Sequence, residues 1–140
     1  MTTTKSRPNA IGAPGYSETL PCEAESVGRA RRLVSAALNT WGLDHLIDSG
    51  TLIISELVTN ATQHSGRDVF RVGVNRPTEG LVRLVVSDTS RSRPNLRQPG
   101  NDEETGRGLL IVEALANRWN VDYRRWGKVV WVELDTEVNS

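Results

Sequence analysis

An acid and an amide stand four residues apart in the segment Glu56-Leu57-Val58-Thr59-Asn60-Ala61. In a helix, at about 100° per residue, Glu56 and Asn60 lie within about 40° of each other, on the border of an apolar face. A carboxylate there needs a cation, a bound water or a basic partner, because leaving it unpaired costs several kcal/mol. The pair therefore predicts either a site for a hydrated divalent cation or a polar helix edge satisfied by local hydrogen bonds.

Asp88 is the second residue of interest, because it ends an apolar run from Leu81 that predicts a buried strand. In a strand, Val86 and Asp88 share one face, so Asp88 becomes an acid at the inner end of a core strand if that face meets helices. There it can accept hydrogen bonds from a planar group with an exocyclic amine, such as adenine. The alternative is an aspartate that opens a turn, and the sequence leaves both open.

The third segment, Thr105-Gly106-Arg107-Gly108-Leu109, opens a predicted helix. Its glycines would let backbone N–H groups approach an anion closely, where the helix dipole also favours negative charge. Arg107 stands between them, within reach of a phosphate. The spacing matches neither a dinucleotide-binding fingerprint nor a P-loop, so a flexible hinge at the start of a helix is the alternative.

The periodicity of apolar residues predicts the elements that position these segments. Strands are expected at 16–23, 70–75, 81–88, 119–123 and 128–135, helices at 24–41, 44–63 and 106–118, and a long polar loop at 89–105. Hairpins with helices between them predict an α+β fold, an α/β sandwich. Its mixed, mostly antiparallel sheet would be covered on one face by three helices. Residues 1–15 are predicted to be a flexible tail and 16–140 a single domain.

Composition excludes several classes of protein. The chain has 140 residues, with 17 basic and 17 acidic side chains and a formal net charge of zero. A balanced charge argues against general nucleic-acid binding, which usually needs a strongly basic domain. No apolar run approaches the roughly 20 residues of a membrane span. Cys22 is the single cysteine, which fits a reducing cytoplasm.

The motifs together resemble those of the histidine-kinase-like (GHKL, Bergerat-fold) ATPases, over roughly residues 18–134. The segment that begins at Glu56 resembles the N box, and Val86-Ser87-Asp88-Thr89-Ser90 resembles the G1 box. Gly106-Arg107-Gly108-Leu109 resembles the G2 box, and Gly127-Lys128-Val129-Val130-Trp131 is similar to the closing strand. Within the family, the chain looks most like the small stand-alone anti-sigma-factor serine kinases of actinobacteria. The resemblance implies a Bergerat fold that binds ATP with Mg²⁺.

The resemblance also implies a role for each matching residue. Asn60 would coordinate the Mg²⁺ that bridges the phosphates, and Glu56 would be the general base that activates a partner's serine or a water. Asp88 would bind the adenine amine. The loop 89–105 would be a lid, and the phosphates would be contacted at its end by Gly106, Arg107, Gly108 and Leu109.

Three positions in and after the G1 box and in the closing strand depart from the family pattern. Ser90 and Ser92 stand where glycines usually follow the acid of the G1 box. Val129 stands where the closing strand usually offers a threonine that shares a water with adenine and the acid. Losing one neutral hydrogen bond is worth roughly 1 kcal/mol, so nucleotide binding should be weakened and not abolished.

The function implied by the resemblance is partner switching in the bacterial cytoplasm. The first hypothesis is an anti-sigma factor that holds a sigma factor and phosphorylates a serine on an antagonist (anti-anti-sigma) protein. The alternative is a nucleotide-gated binding module without turnover, and a weaker third is a scaffold that no longer binds nucleotide. A homodimer is also implied, with no direct contact to nucleic acid or membrane. Arg29, Arg31 and Arg32 mark either a protein interface or a solvated helix face.

Two further polar residues are assigned minor roles. His64 is expected to be structural or to support the site, because histidine is versatile at helix ends. With one other histidine and no cysteine cluster, a zinc site is not expected. Lys128 is expected to be a solvated lysine of the last hairpin, with contact to a phosphate as the alternative.

Overall fold

Six segments form strands of one sheet in a computed structural model that describes residues 7–8, 15–65, 69–89 and 110–137. The sheet order is β1-β2-β3-β4-β6-β5, and every pairing between these strands is antiparallel. The strands are β1 (Arg7–Pro8), β2 (Gly15–Pro21), β3 (Val69–Thr78), β4 (Leu81–Asp88), β5 (Arg118–Arg124) and β6 (Gly127–Asp135).

The helices lie on one face of this sheet. They are α1 (Glu25–Thr40), α2 (Ile47–Ser65), which follows a 3₁₀ turn at Asp44–Leu46, and α3 over residues 110–115. α1 packs on β2 and β3, and α2 packs on β3 and β4. Each buries an apolar stripe at three- and four-residue spacing, with Leu33, Val34, Ala37 and Leu38 from α1 and Ile53, Ile54, Leu57, Val58 and Ala61 from α2.

Gly50 lies inside α2, where a glycine weakens a helix by roughly 1 kcal/mol relative to alanine. A Cβ atom at this position would lie 3.0 Å from Leu38 Cδ1 and 3.2 Å from Val34 Cγ1 of α1. The missing side chain therefore allows the two helices to approach closely. The residue that weakens the sequence-based prediction of α2 is the one that lets α2 pack on α1.

The two faces of the sheet differ in composition because side chains alternate along each strand. The helix-covered face is apolar over its central strands: Phe70, Val72, Val74, Val82, Leu84, Val86, Val130, Val132 and Leu134 are buried there. Cross-strand register puts Arg83, Trp131 and Glu133 on the opposite face. No helix among the described residues covers this second face, which is called the open face below.

The predicted α+β sandwich with a helix-covered sheet is confirmed, and the predicted order of elements holds for the described residues. A mixed, mostly antiparallel sheet was expected, but all described pairings are antiparallel. The region predicted as a tail contributes the two-residue strand β1, which pairs with β2. None of the described helices is both long and apolar enough to cross a membrane.

Candidate functional site

The second half of α2 carries Glu56 and Asn60, and chain connectivity places it at one end of the sheet. α2 ends at Ser65, and β3 begins at Val69. The next residue of β3, Phe70, pairs with Asp88 at the end of β4. Because α2 packs on β3 and β4, its last turns lie toward the sheet end that bears Asp88. The acid and amide of the helix and the acid of the strand therefore belong to one region.

Glu56 and Asn60 lie on the border of the apolar stripe, as the sequence predicts. Both are half-buried, between the buried Leu57 and Ala61 on one side and solvent on the other. Burial raises the pKa of the Glu56 carboxyl, because the ionised form loses hydration. A carboxylate with a raised pKa binds a proton more readily, which suits a general base.

Asp88 lies on the helix-covered face and is 3% exposed. It accepts a hydrogen bond from Lys128 Nζ, 3.1 Å from its Oδ1 atom. Register explains the contact, since Lys128 of β6 stands directly opposite Asp88 of β4. The same register continues to Phe70 on β3 and Tyr123 on β5. These four residues are called the terminal row.

Lys128 corrects a sequence-based prediction. It was expected to be solvated, but it is 3% exposed and forms an ion pair with Asp88. The signal was present in the sequence, because two-residue alternation puts Lys128 on the same strand face as the apolar Val130 and Val132. A lysine on an inward face has to find an anionic partner.

Gly127 precedes Lys128 and packs on the backbone of β4. A Cβ atom at this position would collide with the carbonyl oxygen of Asp88 and lie 2.7 Å from Thr89 Cα. Glycine is therefore required for β6 to lie this close to the end of β4. Val129 pairs with Ser87, so it lies on the sheet face opposite to Asp88. Val129 was expected to weaken adenine binding beside Asp88 because it lacks a hydroxyl. Its side chain instead faces away from Asp88.

A second charged group, which sequence reasoning missed, lies on the open face. Glu133 accepts hydrogen bonds from Arg83 Nε at 2.9 Å and from Arg118 Nε at 2.8 Å. Burial alone raises the pKa of Glu133, but the hydrogen bonds from Arg118 and Arg83 outweigh it and hold the pKa below its usual range. Arg118 also pairs with Asp135, and the Arg83 guanidinium lies 5.7 Å from the centre of the Trp131 ring.

Comparison with known proteins identifies the family. Residues 20–134 match the histidine kinase-like ATPase domain. The chain belongs to this family. No curated protein matches it.

Two solved structures are similar to this histidine kinase-like ATPase domain. One contains the RsbU and RsbW domains of Rv1364c from Mycobacterium tuberculosis, with a TM-score of 0.66 and 22% identity over 89% of this chain. The other is the histidine kinase domain of the Erythrobacter litoralis EL346 blue-light activated histidine kinase, with a TM-score of 0.49 and 21% identity over 81% of this chain. The chain spans 36% and 60% of the lengths of these two proteins. The first likeness confirms the fold.

Membership of this ATPase family implies a nucleotide-binding domain, and the described residues fit such a ligand. Asn60 and Glu56 offer oxygen atoms, which are the donors that Mg²⁺ prefers. Among the described residues, no three acidic, histidine or cysteine side chains converge on one point. In nucleotide sites, Mg²⁺ is usually held by one or two protein ligands together with phosphates and water.

Several predicted site residues lie outside the described part of the chain. They are residues 90–105 of the predicted lid, which include Ser90 and Ser92, and the segment Gly106, Arg107, Gly108 and Leu109. The side chain of His64 is also outside it. Of the α1 arginines, Arg31 and Arg32 are exposed and Arg29 is half-buried. A protein interface and a solvated helix face both remain predictions for these arginines.

Proposed function

We propose that this domain binds ATP with Mg²⁺ and phosphorylates a serine of a partner protein. The observation that carries the proposal is Glu56, a half-buried acid whose pKa is raised by burial, one helical turn before Asn60. A domain that only binds nucleotide has little need for a base in this position. General base catalysis by a positioned carboxylate contributes roughly 10²- to 10⁴-fold to a rate.

Each residue of the site has a part in the proposed reaction. The Asn60 carboxamide oxygen holds Mg²⁺, which neutralises charge on the phosphates when bound. Asp88 accepts a hydrogen bond from the adenine amine. The serine oxygen attacks the terminal phosphorus of ATP while Glu56 takes the proton of the serine hydroxyl. The bond from this phosphorus to ADP breaks, and ADP leaves. The segment 106–109 is proposed to contact the phosphates through its backbone.

Partner switching is the regulatory setting that we propose for this chemistry. The domain would hold a sigma factor in one complex and phosphorylate an antagonist protein in another, as a cytoplasmic protein and possible homodimer. This part rests on the motif resemblance. The similar Mycobacterium tuberculosis structure includes an RsbW domain and supports the proposal only through its similar fold.

The decisive experiment follows transfer of labelled phosphate from ATP to a candidate antagonist. Glu56→Gln keeps the size of the side chain and removes its basicity, so transfer should fall roughly 10²- to 10⁴-fold while ATP affinity is retained. Asp48→Asn is the matched control, because Asp48 is an exposed acid of the same helix, and it should transfer phosphate as the wild type does. In the wild type, the rate should rise with pH as Glu56 loses its proton, above the usual glutamate range.

Two results would contradict the proposal. Undiminished transfer by Glu56→Gln would remove Glu56 as the base. No transfer by the wild type, with ATP-dependent capture of a partner intact, would favour the second hypothesis of a nucleotide-gated binding module. Both hypotheses require the domain to bind ATP with Mg²⁺, which calorimetry measures. Asn60→Ala should lose the Mg²⁺-dependent part of ATP affinity. No heat of ATP-Mg²⁺ binding to the wild type would refute both functions.

A further inference from the structure

We propose that Lys128 is a second base-reading residue, which donates a hydrogen bond to a ring nitrogen of adenine while Asp88 accepts one from the amine. The inference rests on the proposed binding of ATP and adds a residue that reads the base. It makes the ion pair of β4 and β6 part of the nucleotide site.

Burial is the first argument. The side chains of Lys128 and Asp88 are 4% and 1% exposed, and they form a salt bridge of 3.1 Å. Removing two charges from water is expensive, and well-packed apolar residues in their place are often as stabilising or more so. Stability of the fold therefore gives little reason to keep this pair. A ligand that needs both an acceptor and a donor at this point does give one.

The chemistry of the pair matches the amine edge of adenine. Asp88 Oδ1 and Lys128 Nζ put an acceptor and a donor side by side, 3.1 Å apart. Adenine offers the complement, because its amine is flanked by an acceptor nitrogen on either side. A carboxamide reads adenine in the same way, with its oxygen and nitrogen on the amine and a ring nitrogen. The ammonium has three N–H donors, so it can serve Asp88 and the base together.

The position of Lys128 in the terminal row is the third argument. Phe70 and Asp88 are 1% and 3% exposed, Lys128 is 3% exposed, and Tyr123 is 43% exposed. The row therefore runs from the core at β3 to solvent at β5, and Lys128 lies between Asp88 and the solvent-exposed edge at β5. A base that contacts Asp88 from that side lies within reach of Lys128.

The test combines analogues of ATP with variants of the protein. In 1-deaza-ATP and 7-deaza-ATP, the ring nitrogen on one or the other side of the amine is replaced by CH. One of the two should bind the wild type roughly 10- to 150-fold more weakly than ATP, because it lacks the nitrogen that accepts the hydrogen bond from the charged lysine. In Lys128→Met, ATP should bind more weakly, and the difference between ATP and that analogue should disappear.

Two further variants keep the test decisive. The paired variant Asp88→Leu with Lys128→Met removes both charges of the pair and leaves no side-chain donor for the ring nitrogen, so it serves if Lys128→Met does not fold, and it should also bind ATP and the analogue alike. Arg125→Met is the matched control, because Arg125 is an exposed cation in the same hairpin. It should discriminate against the analogue as the wild type does.

Specific results would overturn the inference. Equal binding of ATP and both analogues by the wild type would do so, as would discrimination that persists in the folded Lys128 variants. Tighter binding of ATP by Lys128→Met would show that the lysine competes with the base for Asp88. If the wild type binds ATP but fails these tests, the inference alone falls, whereas no ATP binding at all removes the proposed function as well.

Discussion

β4 and β6 carry two sets of opposite charges that are arranged in contrasting ways. On the helix-covered face, Asp88 and Lys128 are both withdrawn from water, with side chains 1% and 4% exposed. On the open face, Glu133 is 8% exposed, but its partners Arg83 and Arg118 are 40% and 53% exposed. β4 and β6 therefore present one ion pair withdrawn from water and, together with Arg118 of β5, one partly hydrated cluster.

The two sets of charges differ in the free energy that their burial costs. The open-face arginines keep much of their hydration, so their contacts with Glu133 cost little and give a modest gain. The dry pair bears the full desolvation of two ions, which its mutual attraction barely offsets. Charges that are retained at such a cost, beside the acid and amide of α2, fit a binding site better than a structural brace.

Removal of Lys128 should have the largest effect, because it leaves Asp88 buried without its cation. Lys128→Met is expected to lower the free energy of unfolding by about 3–5 kcal/mol. Denaturant unfolding measures this loss. The paired variant Asp88→Leu with Lys128→Met should recover most of it, since neither buried charge remains. A loss below about 1 kcal/mol would show that the pair behaves like the open-face cluster.

Gly127 holds the terminal row in register, so its replacement should come next. Gly127→Ala puts a Cβ atom against the Asp88 carbonyl, and relief of this clash should cost about 2–4 kcal/mol. Gly80→Ala is the control, because a Cβ atom there has no neighbour within 4 Å. Thermal unfolding of both variants checks the prediction. An equal, small shift for the two would mean that β6 does not lie so close to β4.

Much of this arrangement could be predicted from sequence, because it depends on local periodicity. The apolar stripe of α2 places Glu56 and Asn60 at a helix edge, and the alternation of β4 puts Asp88 on the inner face. Both positions are confirmed by the structure. These features depend on neighbours a few residues away along the chain, which the sequence displays directly.

The pairs between distant strands could not be predicted in the same way. Lys128 was expected in solvent because a hairpin lysine usually lies there, and only the β4–β6 register brings it to Asp88, 40 residues away. Glu133 meets Arg83 across a separation of 50 residues for the same reason. A shift of register by two residues would keep the same side chains of β6 on the inner face and change only which residues of β4 they oppose. The alternating sequence pattern does not distinguish between these registers.

Loss of charge at Glu133 should have a smaller effect than loss of Lys128. Glu133→Gln is expected to lower the free energy of unfolding by about 1–2 kcal/mol, because two charge-assisted contacts weaken while the arginines remain hydrated. The pKa of Glu133 is lower in the folded than in the unfolded protein. Its contribution is therefore complete above the unfolded pKa and disappears as pH falls through the folded pKa. Denaturant unfolding at several pH values should show the two proteins converging in acid. A constant difference would refute the assignment.

Removal of Arg83 should have the smallest effect of the four. Arg83→Met keeps an apolar stem beside Trp131 and loses the ion pair with Glu133 and the contact with the ring, so about 0.5–1 kcal/mol should be lost. This cost should shrink at high salt, because the exposed guanidinium is screened. The cost of Lys128→Met should change little with salt, since burial shields its pair from ions. Measurement of both variants at low and high salt therefore separates the two regions directly. Equal salt dependence would mean that Asp88 and Lys128 are reached by solvent, and the contrast between the two faces of the sheet would be lost.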